Sequence, residues 1–400
     1  MIRILFLITE FDRGGAEKAL YDLVRQLDTG RFAPQVACLG GPGYYTEKYR
    51  EIGIATHHLG LKVPQGAGAA AFPIAVVHAA LRMGRLLRTE HIQVLQSFLF
   101  HANAVGRLAG RLAGTSVVLG AVRTAEPRHT HTLADGLTFW LTDGEVCVSE
   151  HVRRFQARRA GLPAGRLFVV PQGVEPADYP VPAAPFGIGS PQAVAQRRQA
   201  RQALALPPER PVFAFVGRLC EAKALPDLLG AFWGLVRVDP APLLAIAGDG
   251  PLAALVRSTI RQGPLRENAL LLGWLDDPRT LYAAADCLVL SSVVEGMPRV
   301  VLEAMAAGLP VISTDAPGCD ELVLHEETGF LVRRANRDEL AARMREMLTD
   351  PQRAASMGLA GRGRAFSSFG LREMARRYEA LYEQLLARRG RHKVLRIRSA

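Results

Sequence analysis

The chain is 400 residues long, 49% hydrophobic and 22% charged, with a net charge of +11. This composition argues against a disordered chain or a coiled coil, and the length predicts two to three domains with more than one buried core. Five scattered cysteines (Cys38, Cys147, Cys220, Cys287, Cys319), an odd number without CxxC spacing, argue against a disulfide scaffold or structural zinc site and fit a reducing cytoplasm.

In chain order, Ile2–Ile8 reads as a buried strand, too short in its apolar run for a signal peptide. Gly14–Leu27 is amphipathic and Gln35–Leu39 a second strand; Tyr45–Ile52 and Pro73–Arg88 read as helices. Strands follow at Ile92–Gln96 and Ser116–Val122, separated by a helix over Ala102–Ala113, and shorter apolar runs lie at Gly144–Val148 and Leu167–Val170. Val63 to Leu81 carries no charge, but Pro64, Pro73, Gln65 and His78 make a packed helix a better reading than a membrane span. The stretch from Pro171 to Pro211 is proline-rich and holds a short helix near Ala193–Leu204, the signature of an interdomain crossing. Strands then resume at Val212–Val216, Leu243–Ala247, Leu270–Leu272, Cys287–Ser291, Pro310–Ser313 and Gly329–Val332. Apolar runs alternating with helices predict α/β architecture: two doubly wound parallel sheets with their strand ends facing a central cleft. The predicted domains are 1–174, 175–370 (with 175–210 as linker) and a C-terminal segment, 371–400.

The basic excess is local. Residues 151–166 hold Arg153, Arg154, Arg158, Arg159 and Arg166 without an acid, and Leu386 to Arg398 holds six Lys or Arg and no acid. No recognisable nucleic-acid module and no interleaved aromatics accompany them, so nucleic acid is not an expected partner. A solvated surface and loose contact with anionic lipid headgroups both remain open.

The segment from Cys287 to Asp315 is the richest in chemistry. A strand is expected to run to Ser292, a loop to carry Glu295 and Gly296, and Pro298 to open a helix that ends at Gly308. The start of that helix offers unpaired N–H groups for an anion, and Gly296 lets backbone approach a ligand. Glu303 lies more than one turn inside an apolar helix, where a carboxylate needs partners. With Glu295 it suits hydrogen bonding to sugar and ribose hydroxyls, although a loop acid and a surface acid read the same by spacing. Arg218 and Lys223 follow a strand ending at Gly217 and suit a departing diphosphate; surface salt bridging is the alternative. Gly273 and Trp274 end another strand, the indole fitting either a base or the core. Asp249 reads as a turn residue, Glu17 as an acid favoured by the helix dipole, and His101 as a histidine at a strand end.

Together these residues resemble the retaining nucleotide-sugar glycosyltransferases of family four, group one, with the GT-B fold. GGAE (14–17), SFLFHAN (97–103), VVPQGV (169–174), VGRL…K (216–223), AGDGPL (247–252), LGWLDDP (272–278), LYAAADCLVLSS (281–292), EGMPRVVLEAMAAGLPVISTD (295–315) and TGFLV (328–332) carry the likeness in order along nearly the whole chain. The Glu-x7-Glu pair running into EAMAAGLPV is the specific element.

The resemblance implies that Arg218 and Lys223 contact the donor diphosphate and that Glu303 holds the ribose. It sets Glu295 and Gly296, Met297 and Pro298 at the donor sugar, His101 near that sugar, and Gly15 near the phosphate. It also implies transfer with retention and without metal or other cofactor, from a nucleotide sugar, a UDP-sugar by preference, to a saccharide or lipid-linked acceptor in cell-surface polysaccharide or glycolipid biosynthesis. The expected setting is the cytoplasm, with loose peripheral attachment to the inner membrane face. Gln172 replaces the usual Asn of the VVPNG turn, and Arg299 stands where relatives carry a small or amide side chain. Acceptor recognition is expected near residues 123–128, and the C-terminus as a helix over Leu371–Ala387 followed by an irregular basic tail. A GT-B nucleotide-sugar epimerase and an inactive glycosyltransferase-like scaffold stay open as alternatives. FDRGGAE after the first strand disfavours a nicotinamide dehydrogenase, which would carry GxGxxG.

Overall fold

In the computed structural model, which describes residues 1–61, 71–125, 129–159 and 161–398, the apolar runs form the strands of two separate sheets. One unit comprises Met1–Gly173 together with the segment from Leu371 onward, the other Val174–Gly370. The first unit alternates β1 (Ile2–Ile8), α1 (Gly15–Val24), β2 (Phe32–Cys38), α2 (Tyr44–Glu51), β3 (Ala55–His58), α3 (Ala71–Thr89), β4 (Val94–Ser97), α4 (Phe100–Ala113), β5 (Val117–Val122), α5 (His129–Thr138), β6 (Gly144–Cys147), α6 (Glu150–Arg159) and β7 (Leu167–Val169). The second runs through α7 (Pro191–Ala203), β8 (Val212–Val216), α8 (Leu225–Val236), β9 (Leu243–Ala247), α9 (Ala253–Gln262), β10 (Ala269–Gly273), α10 (Arg279–Ala284), β11 (Cys287–Leu290), α11 (Arg299–Ala307), β12 (Val311–Thr314), β13 (Gly329–Val332), α12 (Arg337–Thr349) and α13 (Pro351–Ser368). The chain then returns to the first unit as α14 (Leu371–Arg398).

The sheet orders are β3-β2-β1-β4-β5-β6-β7 and β10-β9-β8-β11-β12-β13, with every described pairing parallel. Both are doubly wound, with the order reversing beside the first strand of each unit. In β1 the side chains alternate between two cores. Ile4, Phe6 and Ile8 join the cluster holding Leu20, Leu23, Tyr49 and the α14 residues Tyr378 and Tyr382. Leu5 and Leu7 face Ala80, Met83, Val105 and Ala109 from α3 and α4. A strand covered on both faces must be apolar throughout, which is why its sequence is nearly continuous Ile, Leu and Phe.

Several expectations need correcting. β3 reads ATHH and carries no apolar signal, because it lies at the sheet edge and none of its residues is fully buried. α5 and α6 were not expected, and β11 ends at Leu290 rather than Ser292. Pro298 is extended (φ −70°, ψ 111°) and caps α11 from outside its first turn; a residue already bent into the helix would be N1. α14 continues to Arg398 instead of fraying after Ala387, since the Arg, Leu and Lys of that stretch are good helix formers and Gly390 alone does not stop them. The basic stretch 151–166 is less bare than its composition: Arg153 makes two bonds to Glu150, of 2.7 and 2.5 Å, and Arg154 a third of 3.3 Å. Residues 63–70 of the uncharged stretch and 126–128 of the acceptor candidates lie outside the described residues. Among the described residues no helix is long and apolar enough to cross a membrane.

Candidate donor site

Where strand order reverses in an open α/β sheet, the loops leaving the carboxyl ends diverge and leave a crevice for a ligand. In the second unit that point lies between β8 and β11. The loop after β8 carries Arg218 and Lys223, and the loop after β11 carries Glu295, Gly296, Met297 and Pro298. Hydrogen bonds tie the two loops together: Val293 N–H donates to the carbonyl of Ala222 (2.9 Å) and Ser291 Oγ to that of Lys223 (2.7 Å). Lys223 Nζ forms an ion pair with Glu295 Oε1, and Ser292 Oγ donates to the same oxygen at 2.6 Å. Ser292 is held in turn by its carbonyl, which accepts from Thr314 Oγ1 at 2.5 Å. Ala224, directly after Lys223, is left-handed (φ 44°, ψ 45°) and turns the chain into α8, a conformation that costs an L residue about 1–2 kcal/mol.

Glu295, Gly296, Met297 and Pro298 are all buried. The 295–298 loop is fixed from behind by Gly318, at φ +88°: a Cβ there would sit 2.2 Å from the Gly296 carbonyl oxygen. One helical turn into α11, Glu303 is 8% exposed. Its Oε1 accepts from Arg299 Nε at 2.7 Å and its Oε2 from the Tyr282 hydroxyl at 3.1 Å. Burial, and after it the Glu303 charge, pushes the Tyr282 hydroxyl well above the usual phenol range, and Tyr179 is raised for the same two reasons. Both phenols therefore stay protonated, and Tyr282 is a fixed donor to Glu303.

Two groups of expected residues are brought together here: Lys223 with Glu295, and Glu303 in the same βαβ unit. Arg218 is exposed on the loop after β8 and does not hydrogen-bond to the pair. Gly273 ends β10, two strands from β8, and its carbonyl accepts from Gly248 N–H at 2.7 Å. Trp274 is 49% exposed and donates to Asp276 at 3.0 Å, so its indole is not part of the core. Asp249 accepts from its neighbour Gly250 N–H at 2.7 Å, a turn contact. Gly15 and His101 belong to the first unit. Gly15 is the first residue of α1, and Glu17 folds back over the extended Gly14; burial outweighs its backbone hydrogen bond and pushes its carboxyl upward. His101 is exposed near the start of α4, beside Phe100, whose ring stacks 3.7 Å from that of His131. Leu99, ahead of them, has φ 74° and ψ 157°, a region occupied almost only by glycine and therefore strained. It sits after β4, at the reversal point of the first sheet.

Ser292, Tyr282 and Thr314 were not singled out from sequence. The paired serines of CLVLSS at a strand end were the available signal for Ser292; Tyr282 looked like any apolar residue of LYAAAD. Among the described residues no cluster of His, Cys, Asp and Glu is grouped to hold a metal ion.

Comparison with known proteins agrees with this arrangement. Residues 13–178 match the family model described as Glycosyltransferase Family 4, and residues 196–364 the one described as Glycosyl transferases group 1. The chain is 28% identical over 394 residues to the GDP-mannose-dependent alpha-(1-6)-phosphatidylinositol monomannoside mannosyltransferase of Mycolicibacterium smegmatis, covering 92% of this chain and 94% of that protein. It is also 28% identical over 175 residues to the N-acetyl-alpha-D-glucosaminyl L-malate synthase of Bacillus anthracis, a match spanning 44% of this chain and 46% of that protein. Among solved structures, Anabaena HepE in complex with UDP and glucose superposes with a TM-score of 0.80 at 21% identity, covering 96% of this chain and all of that one. With two parallel α/β units of matching topology and both family domains in order, the chain belongs to the group 1 glycosyltransferases of family 4, enzymes of the GT-B fold.

Proposed function

We propose that the protein transfers a sugar from a nucleoside-diphosphate sugar, a UDP-sugar, to a saccharide or lipid-linked acceptor, with retention of anomeric configuration and without a metal ion. The observation that carries this reading is the pairing of Lys223 with Glu295 beside Glu303 at the reversal point of the second sheet. Glu303, oriented by Arg299 and Tyr282, offers a carboxylate to the ribose hydroxyls. Lys223 and Arg218 offer positive charge to the diphosphate, whose negative charge grows as the glycosidic bond breaks. Glu295 holds Lys223 in the absence of donor; with donor bound it accepts from the sugar hydroxyls while Lys223 turns to phosphate. The Anabaena neighbour holds UDP, and the mycobacterial relative is named for GDP-mannose and a phosphatidylinositol acceptor. These names support a nucleotide-sugar donor and a lipid-linked acceptor; we take the pathway to be glycolipid or surface-polysaccharide synthesis at the cytoplasmic face of the membrane.

The test is thermal unfolding with UDP, GDP and their sugars, on the parent chain and on Glu303→Ala and Lys223→Ala. A ligand present at a hundred times its Kd stabilises the folded form by about 2.7 kcal/mol. A rise in Tm with the uridine series that both variants lose is the expected result. A rise with guanosine ligands alone would reassign the base, and no rise with either would favour an inactive scaffold. Retention is read from the anomeric proton of the product, and metal independence from turnover in EDTA.

A further inference from the structure

At the end of the first sheet where β6 and β7 begin, a groove of about 280 Å³ is lined by Arg111, Arg166, Arg388 and Arg389, with Asp143 and Trp140 among the remaining lining residues. Four segments distant in sequence supply these four guanidinium groups and one carboxylate. Asp143 is already engaged by Arg389 at 2.9 Å and by Arg111 at 3.8 Å. Arg166 donates to the Thr142 carbonyl and lies 4.6 Å from the centre of the Phe139 ring. The groove therefore holds an excess of cations.

Of the lining residues Trp140 is 70% exposed, and just before it in the chain Leu133 and Leu137, one turn apart on α5, are 65% and 66% exposed. The acid between them, Asp135, turns inward to the buried Arg107 at 2.8 Å and does not oppose the arginines from the surface. Three large apolar side chains left in water within eight consecutive residues mark an interaction surface. Tryptophan beside arginine is the pairing suited to a bilayer interface, where an indole sits at headgroup level and a guanidinium binds phosphate.

We propose that α5, Trp140 and this arginine groove form the face by which the protein docks on an anionic phospholipid bilayer. Leu133, Leu137 and Trp140 enter the headgroup layer, and Arg111, Arg166 and Arg388 bind lipid phosphates. This goes beyond the lipid-linked-acceptor reading, because the groove lies at the amino ends of β6 and β7 and not at the carboxyl ends where ligand loops gather, and it is tested without donor or acceptor.

The experiment is co-sedimentation of the full chain, without nucleotide, with phosphatidylcholine vesicles made with and without phosphatidylglycerol. The expected result is retention that requires phosphatidylglycerol, with a blue shift of indole emission that Trp140→Phe removes. One cation near such a surface is worth about fivefold in partitioning, so the charge reversal Arg388→Glu should weaken binding roughly 25-fold. Leu137→Asp should weaken it about tenfold or more by opposing insertion. Both side chains are exposed, so an unchanged Tm verifies folding. Equal binding to both vesicle types, or no effect of either substitution, overturns the proposal. Thermal stabilisation by free glycerol phosphate without vesicle binding overturns it in favour of a soluble-anion site. A Tm rise with UDP is read separately, so failure of the donor reading and failure of this one are distinguishable.

Discussion

Glu303 shows how a buried carboxylate is made usable: two fixed donors, Arg299 Nε and the Tyr282 hydroxyl, take one oxygen each and leave the remaining lone pairs for a ligand. A hydrogen bond to a charged group is worth about 1.5–3 kcal/mol, so Tyr282→Phe should weaken UDP binding about tenfold or more while leaving kcat nearly unchanged, as measured by calorimetry and donor kinetics. That Glu303 needs partners was legible from its place inside an otherwise apolar helix, where a lone carboxylate is costly; its spacing to Glu295 alone did not settle it. Its partner Tyr282 was not legible, because the contact spans two elements. Thiol chemistry gives a second prediction at this scale. Burial pushes the Cys38 and Cys319 thiols up to about 12 and raises Cys147 and Cys287 as well. A raised thiol pKa keeps the unreactive protonated form through neutral and mildly alkaline pH. Titration with an aromatic disulfide reagent at pH 8 should therefore modify one cysteine quickly, the half-buried Cys220, and the other four only after denaturation.

Among the elements, those that position the candidate site are held by close backbone approach and by buried ion pairs. Gly318→Ala would press a Cβ into the Gly296 carbonyl while asking an L residue for φ +88°. It should cost about 1–3 kcal/mol and displace the 295–298 loop, lowering Cm in urea and weakening donor binding together. α7 is fastened by Arg201, 1% exposed, which bonds Asp286 at 2.7 Å and the carbonyls of Ala284, Pro207, Pro208 and Arg210. Arg201→Leu leaves Asp286 with Arg197, at 3.1 Å, as its remaining guanidinium partner beside the N–H groups of Phe186 and Val212, and strips several carbonyls of a donor. A loss of about 3–5 kcal/mol is expected by chemical denaturation. Strands such as β1, β8 and β9 were legible because burial on both faces writes a continuous apolar run. β3 and α6 were not, being an edge strand of Ala, Thr and His and a helix half of whose residues are charged. The proline-rich crossing announced a boundary, but the arginine clamp that fastens α7 beneath it is long-range and left no local pattern.

On the scale of the whole molecule, the first unit is built from two pieces of chain. α14 places Tyr378, Tyr382 and Leu385 in the same core as Phe6, Phe32 and Val36. Truncation after Gly370 would uncover that face of the sheet, and such a chain should elute as aggregates in size-exclusion chromatography while the parent does not. Val174 N–H donates to the Phe369 carbonyl at 2.8 Å, and Val174 bridges Gly370, so the outgoing and returning segments run side by side.

This interruption orders events during synthesis. The second unit is continuous and can close as soon as it leaves the ribosome, whereas the first must wait for its final helix. Between the emergence of Gly173 and that of Leu371 lie about 200 residues, or roughly 10–40 s at ordinary elongation rates. Throughout that interval the cavity reserved for Tyr378 and Tyr382 stands open, so the domain made first is the one finished last and the natural client for a chaperone.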